Sequence, residues 1–429
     1  MKQKYINNSQ KWVFSGLNVA DYPLISEDQP LVFGKRLRDK IQEFWIYSYS
    51  FVKFFYFYLR QFFYRRCREE VNIKSVILHS GRGYDLRNFH KVCNFSDKDS
   101  IQFNVFNIDN FIKYKRLGLQ KLMKNFSESV LQYQQILTNN FQDDLRKEIL
   151  RIGPKILPMY SYLKTFFREV IDENPDCIAY SGGSLLVSHA SISAGMKTIY
   201  VPHGMIPKIS PDLFPKYDSI YVYSVDERKY LLDIGIKSSV QIYPVRSIAT
   251  RNKRVVFFMP TSFPNFVSKK DQCKIFLELT NLFKLFDYEI YIKLHSIHNS
   301  PAKFLSEYGY TPLKLNDILD LSVVTVISNK KDAEAVIEDV QPSFAVAGWG
   351  STTLCESINM GVIPISITAT RSEKDLFSVI YKVNNRSLLW PLEVGVIQDA
   401  LKDDLFYDDV IKMLKTGDKN LQSHHNNSK

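Results

Sequence analysis

Residues Phe344 to Ile367, FAVAGWGSTTLCESINMGVIPISI, carry the pattern that decides the fold of this chain. An apolar run ends at a Gly-flanked turn. Three hydroxyl residues then open a short helical segment, which closes at Gly361 before a second apolar run. This pattern predicts a strand, a turn at Gly348 to Gly350, a helix and a second strand.

The start of the predicted helix offers a place for an anion. Ser351, Thr352 and Thr353 lie there, beside backbone N–H groups that have no partner within the helix. Because the helix dipole is positive at this end, a phosphate group is favoured there. The alternative interpretation is that Ser351 only caps the helix. The stretch by itself supports both.

The same alternation of strand and helix continues through the chain. From Asn174 onward, the apolar runs CIAYS, TIYV and SIYVYS are separated by helical segments, and a second set begins at Arg254 with RVVFF. Strands that alternate with helices predict an α/β protein with parallel sheets, whose ligands bind at the carboxyl ends of the strands. A length of 429 residues suits two such domains.

Composition divides the chain into four predicted segments. The boundaries are placed where aromatic, apolar and polar stretches change. The segments are an aromatic and basic N-terminal segment (1–70), a first Rossmann-like lobe (71–248), a second Rossmann-like lobe (249–415) and a polar, disordered tail (416–429).

The N-terminal segment contains a helix of unusual composition between Phe33 and Glu70. Lys53 and Arg60 interrupt its apolar run, which argues against a membrane-spanning helix. Two predictions remain open. One is a helix packed on its own domain. The other is an interfacial helix on an anionic membrane surface, with these residues at the level of the lipid head groups: Trp45, Phe51, Phe54, Phe55, Tyr58, Phe62 and Phe63.

Charge and cysteine usage limit the partners and the compartment. The net charge of +11 favours anionic partners, but no nucleic-acid-binding motif accompanies it, so nucleic acid is not an expected partner. The five cysteines are scattered without a CxxC pair, and the N-terminus lacks a signal-peptide pattern. These features predict a cytoplasmic protein. With the aromatic helix, they predict a peripheral position on the inner face of the cytoplasmic membrane.

Three loops that follow predicted strands carry the candidate chemistry. They are VPHG at 201–204, IKLHS at 292–296 and GWGSTTLCE at 348–356. In this order they resemble loops of bacterial envelope glycosyltransferases of the GT-B type. Two groups are similar: the CMP-sugar users (sialyltransferases, polysialyltransferases and Kdo transferases) and the CDP-glycerol glycerophosphotransferases. The resemblance implies two Rossmann-like lobes with a cleft between them. The first lobe (71–248) would lie on the acceptor side, and the second (249–415) would bind the nucleotide sugar.

The resemblance also implies which residues bind the donor. In the CMP-sugar families an HP motif and a Ser-Ser/Thr motif hold the cytidine nucleotide. The matching residues are His295 with Lys293, and Ser351 with Thr352. This chain has Ser296 where those families carry proline. Two further residues of the same loop and helix complete the predicted donor site: Thr353, and Glu356, which would hydrogen-bond a ribose or offset the helix dipole.

On the acceptor side, the resemblance implies a general base in the first lobe. The HG motif of the glycerophosphotransferases matches His203 and Gly204. In CMP-sugar families the base is often an acidic residue, and Asp85, in the GRGYD loop predicted after the first strand, is then the candidate. Ser181 and Gly182 would line the acceptor side of the cleft. The alternative is that they form an ordinary strand-to-helix loop.

These features together predict an inverting, metal-independent glycosyltransferase that moves a sialic acid or Kdo type of sugar from a CMP-sugar to a surface glycan. The acceptor would belong to capsule or lipopolysaccharide, either free or lipid-linked. His295 and His298 are spaced like a metal pair, but no third ligand is near them in the sequence, so no metal or other cofactor is expected. The alternatives are a CDP-glycerol-type polyol-phosphate transferase and a catalytically silent partner in glycan assembly or binding.

Overall fold

A computed structural model describes the helices, strands and connections of the following ranges: 37–63, 74–80, 83–93, 100–105, 107–138, 143–206, 216–244, 247–248, 251–258, 278–293, 324–327, 331–348, 351–367 and 386–416. The chain divides into two compact units, Met1–Tyr243 and Pro244–Lys429. The division falls a few residues before the predicted lobe boundary at 248. The predicted tail after residue 416 lies outside the described residues.

The first unit alternates strands with helices after a long N-terminal helix. Its elements are α1 (Leu37–Arg60), β1 (Ser75–His79), α2 (Gly83–Val92), β2 (Ser100–Asn104), α3 (Ile108–Tyr114), α4 (Leu119–Thr138), α5 (Asp143–Glu173), β3 (Ile178–Ser181), α6 (Leu185–Ala194), β4 (Lys197–Tyr200), β5 (Ser219–Val222), α7 (Val225–Asp233) and β6 (Ser239–Ile242). All neighbouring strands are parallel, in the order β2-β1-β3-β4-β5-β6.

The second unit contains another parallel sheet. Its elements are β7 (Asn252–Phe258), β8 (Glu289–Lys293), β9 (Val324–Ile327), α8 (Ala333–Val340), β10 (Pro342–Gly348), α9 (Thr352–Met360), β11 (Ile363–Ile367), β12 (Leu388–Trp390), α10 (Val394–Lys402) and α11 (Asp404–Thr416). The strand order is β12-β11-β10-β7-β8-β9. Counted from β7, this is 6-5-4-1-2-3, the order of a dinucleotide-binding Rossmann sheet.

The central strand β10 explains why the opening stretch predicted the fold so well. All seven of its residues are buried, and β7 and β11 flank it on either side. A strand that is covered on both faces carries a continuous apolar run rather than an alternating one. The predicted strand, helix and strand are confirmed as β10, α9 and β11, and α9 ends at Gly361 in the left-handed conformation, with φ of 89°.

The predicted α/β class, with two Rossmann-like units of parallel strands, is confirmed. The GT-B arrangement, with a cleft between the lobes, stays a prediction. One local prediction was wrong: the GRGYD segment is not a loop throughout, because α2 begins at Gly83 and Asp85 lies in its first turn.

The aromatic helix α1 packs on the first unit. This confirms one of the two open predictions, that of a helix packed on its own domain. Phe54 was predicted at the level of lipid head groups, and this is wrong: it is 1% exposed and stacks against Phe126 of α4, with ring centroids 4.6 Å apart. Ile46 and Phe57 join the same core. None of the helices in the described ranges combines the length and apolar character that crossing a bilayer requires.

Candidate functional site

Each sheet has a point at which its strand order reverses. In the second unit the chain runs from β7 to β8 on one side and returns to β10 on the other, so the reversal lies between β7 and β10. In the first unit it lies between β1 and β3. In open α/β sheets, ligands bind beyond the carboxyl ends of the strands at such a point. The candidate sites are therefore the carboxyl ends of the strands at these two points.

The candidate donor site follows β10 directly. Ser351 is the residue before α9, and its backbone N–H donates to the Gly348 carbonyl oxygen at 3.2 Å. This bond closes the turn, and the first turn of α9 then begins at the carboxyl end of the central strand. Trp349 and Gly350 lie outside the described residues. The first N–H groups of α9 thus start at the reversal point of the sheet, as an anion site requires.

The Ser351 hydroxyl does not cap α9. Although its backbone is extended, as at a capping position, its side chain makes no capping hydrogen bond. Two other helices show the alternative: the Ser224 hydroxyl accepts from the Glu227 N–H at the start of α7, and Asp332 accepts from the Ala335 N–H at the start of α8. The capping interpretation of Ser351 therefore has no hydrogen bond to support it.

This difference predicts a difference in stability. Ser224→Ala is expected to lower the free energy of unfolding by about 0.5 to 2 kcal/mol, because it removes a capping bond, whereas Ser351→Ala is expected to change it much less. Urea unfolding of the two variants, followed by pulse proteolysis of each unit, measures both values. A loss at Ser351 as large as that at Ser224 would favour the capping interpretation and count against the anion site.

Lys293 brings a buried cation to the same edge. It ends β8, and its side chain is only 6% exposed. Phe258 of β7 pairs with Lys293 on one side and with Ala347 of β10 on the other. With neighbouring strands about 4.8 Å apart, the Lys293 and Ala347 backbones lie about 10 Å apart at one level of the sheet. Lys293 and the start of α9 thus lie at the same end of the sheet, where its strands have their carboxyl ends.

The remaining predicted donor residues are placed as follows. Thr352 and Thr353 are half-buried in the first turn of α9, where the Ser357 hydroxyl donates to the Thr353 carbonyl oxygen at 2.7 Å. Glu356 is half-buried one turn later. The predicted ligand His295, its neighbour Ser296 and the paired His298 lie outside the described residues.

In the first unit, the segments after β1 and β3 approach closely. The Gly182 N–H donates to the Leu78 carbonyl oxygen at 2.9 Å, and a Cβ at residue 182 would lie 3.3 Å from that oxygen and 3.3 Å from the Phe89 ring. Ser181 is fully buried, and its hydroxyl bonds to that of Ser188 at 2.6 Å. Gly182 thus holds this loop against α2, while the Ser181 side chain points into the fold.

His203 lies on the loop after β4, and the backbone of that loop is fixed from two directions. The Pro202 carbonyl oxygen accepts from the Asn88 amide of α2 at 2.9 Å and from the Tyr243 hydroxyl at 2.7 Å. Asn88 also donates to the Tyr223 hydroxyl at 2.7 Å. The His203 side chain itself is exposed, and Gly204 follows it. An exposed imidazole on a fixed backbone suits a group that meets a substrate.

Glu227 fixes the same loop at Ile206, the last of its residues before the range 207–215, which the structure does not describe. Its carboxylate is fully buried and accepts from three backbone N–H groups: Ile206 at 2.9 Å, Tyr223 at 2.8 Å and Ser224 at 2.9 Å. Burial raises the pKa of this carboxyl group to about 7, against the opposing effect of the three bonds. The loop from Val201 to Ile206 is therefore joined to the start of α7 by a carboxylate that titrates near neutrality.

This raised pKa predicts a specific pH dependence. The folded state holds the Glu227 proton more tightly than the unfolded chain, so its contribution to stability is present below pH 4.5 and is lost as the pH rises through about 7. Relative to Glu227→Gln, the wild type should lose up to about 3 kcal/mol between pH 4.5 and 8. Pulse proteolysis of the first unit in urea measures this difference.

The variant comparison is needed because His189 acts in the opposite direction. Burial lowers the pKa of His189, which is in the same unit, to about 4, so its contribution is lost as the pH falls from 6.5. The pH profile of the wild-type stability would contain both the Glu227 and the His189 contribution. His189 is unchanged in Glu227→Gln and cancels from the difference. A difference that does not vary with pH would contradict the raised pKa of Glu227.

Three residues of this network were not predicted from the sequence. Asn88 and Tyr243 contact a loop that is 114 and 41 residues away, and no local pattern reports such contacts. Glu227 did have a signal, since Ser224 and Glu227 have the spacing of a capping box, which the structure contains. Within the described ranges, no group of three or more His, Cys, Asp or Glu residues is arranged to hold a metal ion.

The sequence matches no protein-family model and no curated protein. Solved structures with a similar chain course include UDP-GlcNAc 2-epimerase from Neisseria meningitidis bound to UDP-GlcNAc (TM-score 0.42, 10% identity, 80% of this chain and 94% of that one). Others are the trehalose 6-phosphate synthase of Burkholderia multivorans (0.37, 10%, 81% and 96%) and the glycosyltransferase SnogD of Streptomyces nogalater (0.36, 9%, 81% and 95%). These likenesses are distant. The three structures named here are not CMP-sugar transferases.

Proposed function

We propose that this protein is an inverting glycosyltransferase that uses a nucleotide-sugar donor. The observation that supports this most directly is the start of α9. There the Ser351 hydroxyl, which makes no capping bond, and the first N–H groups of the helix lie at the reversal point of a Rossmann sheet. Such an edge suits the phosphate of a nucleotide. Lys293 supplies a positive charge to the same edge.

In this proposal, the second unit stabilises the leaving group. When the glycosidic bond to the nucleotide breaks, negative charge develops on the departing phosphate. The hydroxyls of Ser351 and Thr352, the N–H groups of α9, Lys293 and His295 then donate to it. A hydrogen bond to a charged group contributes roughly 1.5 to 3 kcal/mol. Several such bonds, oriented before the reaction, lower its barrier without a metal ion.

The first unit supplies the base. His203 takes the proton from the acceptor hydroxyl as the oxygen attacks the anomeric carbon, and a single displacement inverts the configuration there. The bonds to Pro202 and Ile206 position the loop that carries it. Asp85, in the first turn of α2, is the competing candidate for this role.

The donor we propose is a CMP-sugar of the sialic acid or Kdo type, because the IKLHS and GWGSTTLCE loops resemble those of CMP-sugar transferases. The acceptor is a bacterial surface glycan, of capsule or lipopolysaccharide, carried at the inner face of the cytoplasmic membrane. The reaction needs no divalent metal or other cofactor.

A donor panel tests the proposal. The purified full-length protein is incubated with CMP-sialic acid, CMP-Kdo, CDP-glycerol or UDP-GlcNAc, each with and without a chelator, and release of the nucleotide is measured. We expect turnover of a CMP-sugar that the chelator does not abolish. If only CDP-glycerol is consumed, the reaction is polyol-phosphate transfer instead. If only UDP-GlcNAc is consumed, the donor is a UDP-sugar and not a CMP-sugar. Loss of all turnover with the chelator would overturn metal independence.

A result with no turnover of any donor would favour a silent module. That outcome has its own readout, because a silent glycan-assembly partner should still bind a glycan or a nucleotide. Calorimetric titration with CMP, in parallel with the panel, therefore separates a protein that binds but does not react from one whose second unit has no nucleotide site. The second of these would overturn the proposed function altogether.

A further inference from the structure

Helix α1 has one face that the fold uses and one that it does not. The used face contributes Ile46, Phe54 and Phe57 to the core of the first unit, where they pack with residues of α4 and α5. The buried Gln61, in the turn after α1, exchanges two hydrogen bonds with the backbone of Leu117. The chain is therefore anchored from Ile46 to Gln61, which fixes the direction of the opposite face over the same residues.

The opposite face is an exposed apolar stripe. Its members follow one another at alternating spacings of four and three residues, so they line a single side of a helix of 3.6 residues per turn. Exposure reaches 67% at Trp45 and 87% at Phe63, the last member, in the turn after α1. We call this surface the α1 stripe, and it consists of Trp45, Tyr49, Val52, Tyr56, Leu59 and Phe63.

Basic residues border the α1 stripe. Lys53 and Arg60, seven residues apart, lie along one edge of it, between the stripe and the buried face. Arg60 is paired with Asp109 at 2.8 Å, whereas Lys53 lies over the rings of Tyr49 and Phe57. The sequence between Phe44 and Arg68 contains no acidic residue. Every charge in this stretch of sequence is therefore positive, although Asp109 compensates the charge of Arg60.

We propose that the α1 stripe is the surface by which this protein docks on an anionic lipid bilayer, with α1 parallel to the membrane plane. Tryptophan and tyrosine have an apolar body and a polar tip, which suits the head-group region. A one-sided apolar face with a basic border is the pattern of a helix that lies in the interface. Acidic lipid head groups complement that border.

A second copy of this chain fits the α1 stripe less well. A two-fold contact through the stripe would place it against itself, with Lys53 of each copy near the same interface. Like charges there oppose association, and the net charge of +11 adds to the repulsion. An anionic bilayer turns the same charges into an attraction. The inference adds a docking surface to the proposed function and rests on it only for the location of the acceptor.

Vesicle binding by the full-length protein tests the inference. We expect co-sedimentation with vesicles that contain phosphatidylglycerol, and weaker binding to pure phosphatidylcholine or at high salt. Trp45→Ala combined with Phe63→Ala should weaken binding at least about tenfold, since two large apolar groups no longer leave water. The matched control replaces two exposed leucines of the second unit, Leu285→Ala with Leu405→Ala, and should leave binding unchanged.

The basic border has its own control pair. Lys53→Gln should weaken binding to the anionic vesicles by about fivefold and leave binding to phosphatidylcholine unchanged. Lys402→Gln, at an exposed site on α10, should do neither. Equal binding of the stripe variant and the wild type would overturn the inference. A wild type that binds no vesicle would overturn it as well. In that case the stripe either mediates dimers, which sedimentation in the ultracentrifuge detects, or is covered by another part of the chain.

Catalysis separates this inference from the proposed function. The stripe variant should turn over the donor in solution like the wild type, because no stripe residue belongs to the candidate site. A variant that loses vesicle binding but retains turnover would support both proposals. A protein that binds vesicles through the stripe but turns over no donor would support the docking surface alone.

Discussion

Replacing His203 with alanine is expected to lower kcat by about 10²- to 10⁴-fold, because a positioned general base contributes that much to proton transfer. The Kd of the donor should change little, since the donor phosphate is bound by the second unit in this proposal. The free energy of unfolding should also change little, because the His203 side chain is exposed. Single-turnover rates and CMP titration of the variant measure the first two quantities.

His90→Ala is the matched control for this prediction. His90 is an exposed histidine of the same unit, on α2, and belongs to no predicted site. Its replacement should leave kcat unchanged. Asp85→Asn tests the competing base. If Asp85→Asn lowers kcat and His203→Ala does not, Asp85 is the base and His203 has only a structural place on its loop.

Removing both hydroxyls at the start of α9 is expected to weaken nucleotide binding about 100-fold or more. In Ser351→Ala with Thr352→Ala, two donors to the phosphate are lost, and each such bond contributes roughly 1.5 to 3 kcal/mol. The helix itself should persist, because Ser351 makes no capping bond. Calorimetric titration with CMP measures the loss, and pulse proteolysis verifies the fold.

Ser343→Ala controls for changes in the sheet. Ser343 is on the same strand, β10, but near its amino end, where its hydroxyl donates to the Asn252 carbonyl oxygen at 2.8 Å. Its replacement should cost some stability and leave CMP binding unchanged. If the double variant binds CMP as tightly as the wild type, the phosphate does not sit at the start of α9, and the donor site must be sought elsewhere.

The parts that the sequence predicted well are those with a local signal. The β10, α9 and β11 elements were predictable because a buried parallel strand is continuously apolar and because Gly361 ends the helix between them. The parallel sheets followed from the alternation of strands with helices. The strand order, however, depends on which strands pair across the chain, and neither reversal point was predictable from local patterns.

The parts that the sequence predicted poorly depend on distant contacts. In α1, aromatic residues occupy both faces, so composition could not tell Phe54 in the core from Trp45 on the surface. The glycines of GRGYD suggested a loop, but Gly83 begins a helix. The network around Pro202 joins residues from α2, β4 and the end of β6, which meet only in the folded sheet.

The strand order of the second unit has a consequence for synthesis. β7 gains its neighbour β8 early, but its other neighbour, β10, arrives late: the Ser343 to Asn252 bond joins residues 91 positions apart. At ribosomal rates of about 5 to 20 residues per second, one edge of β7 waits roughly 5 to 20 seconds for its partner. An unpaired strand edge recruits other chains. Pairing between neighbouring nascent copies on one messenger RNA is therefore most favoured during this interval, when that edge of β7 has no partner strand.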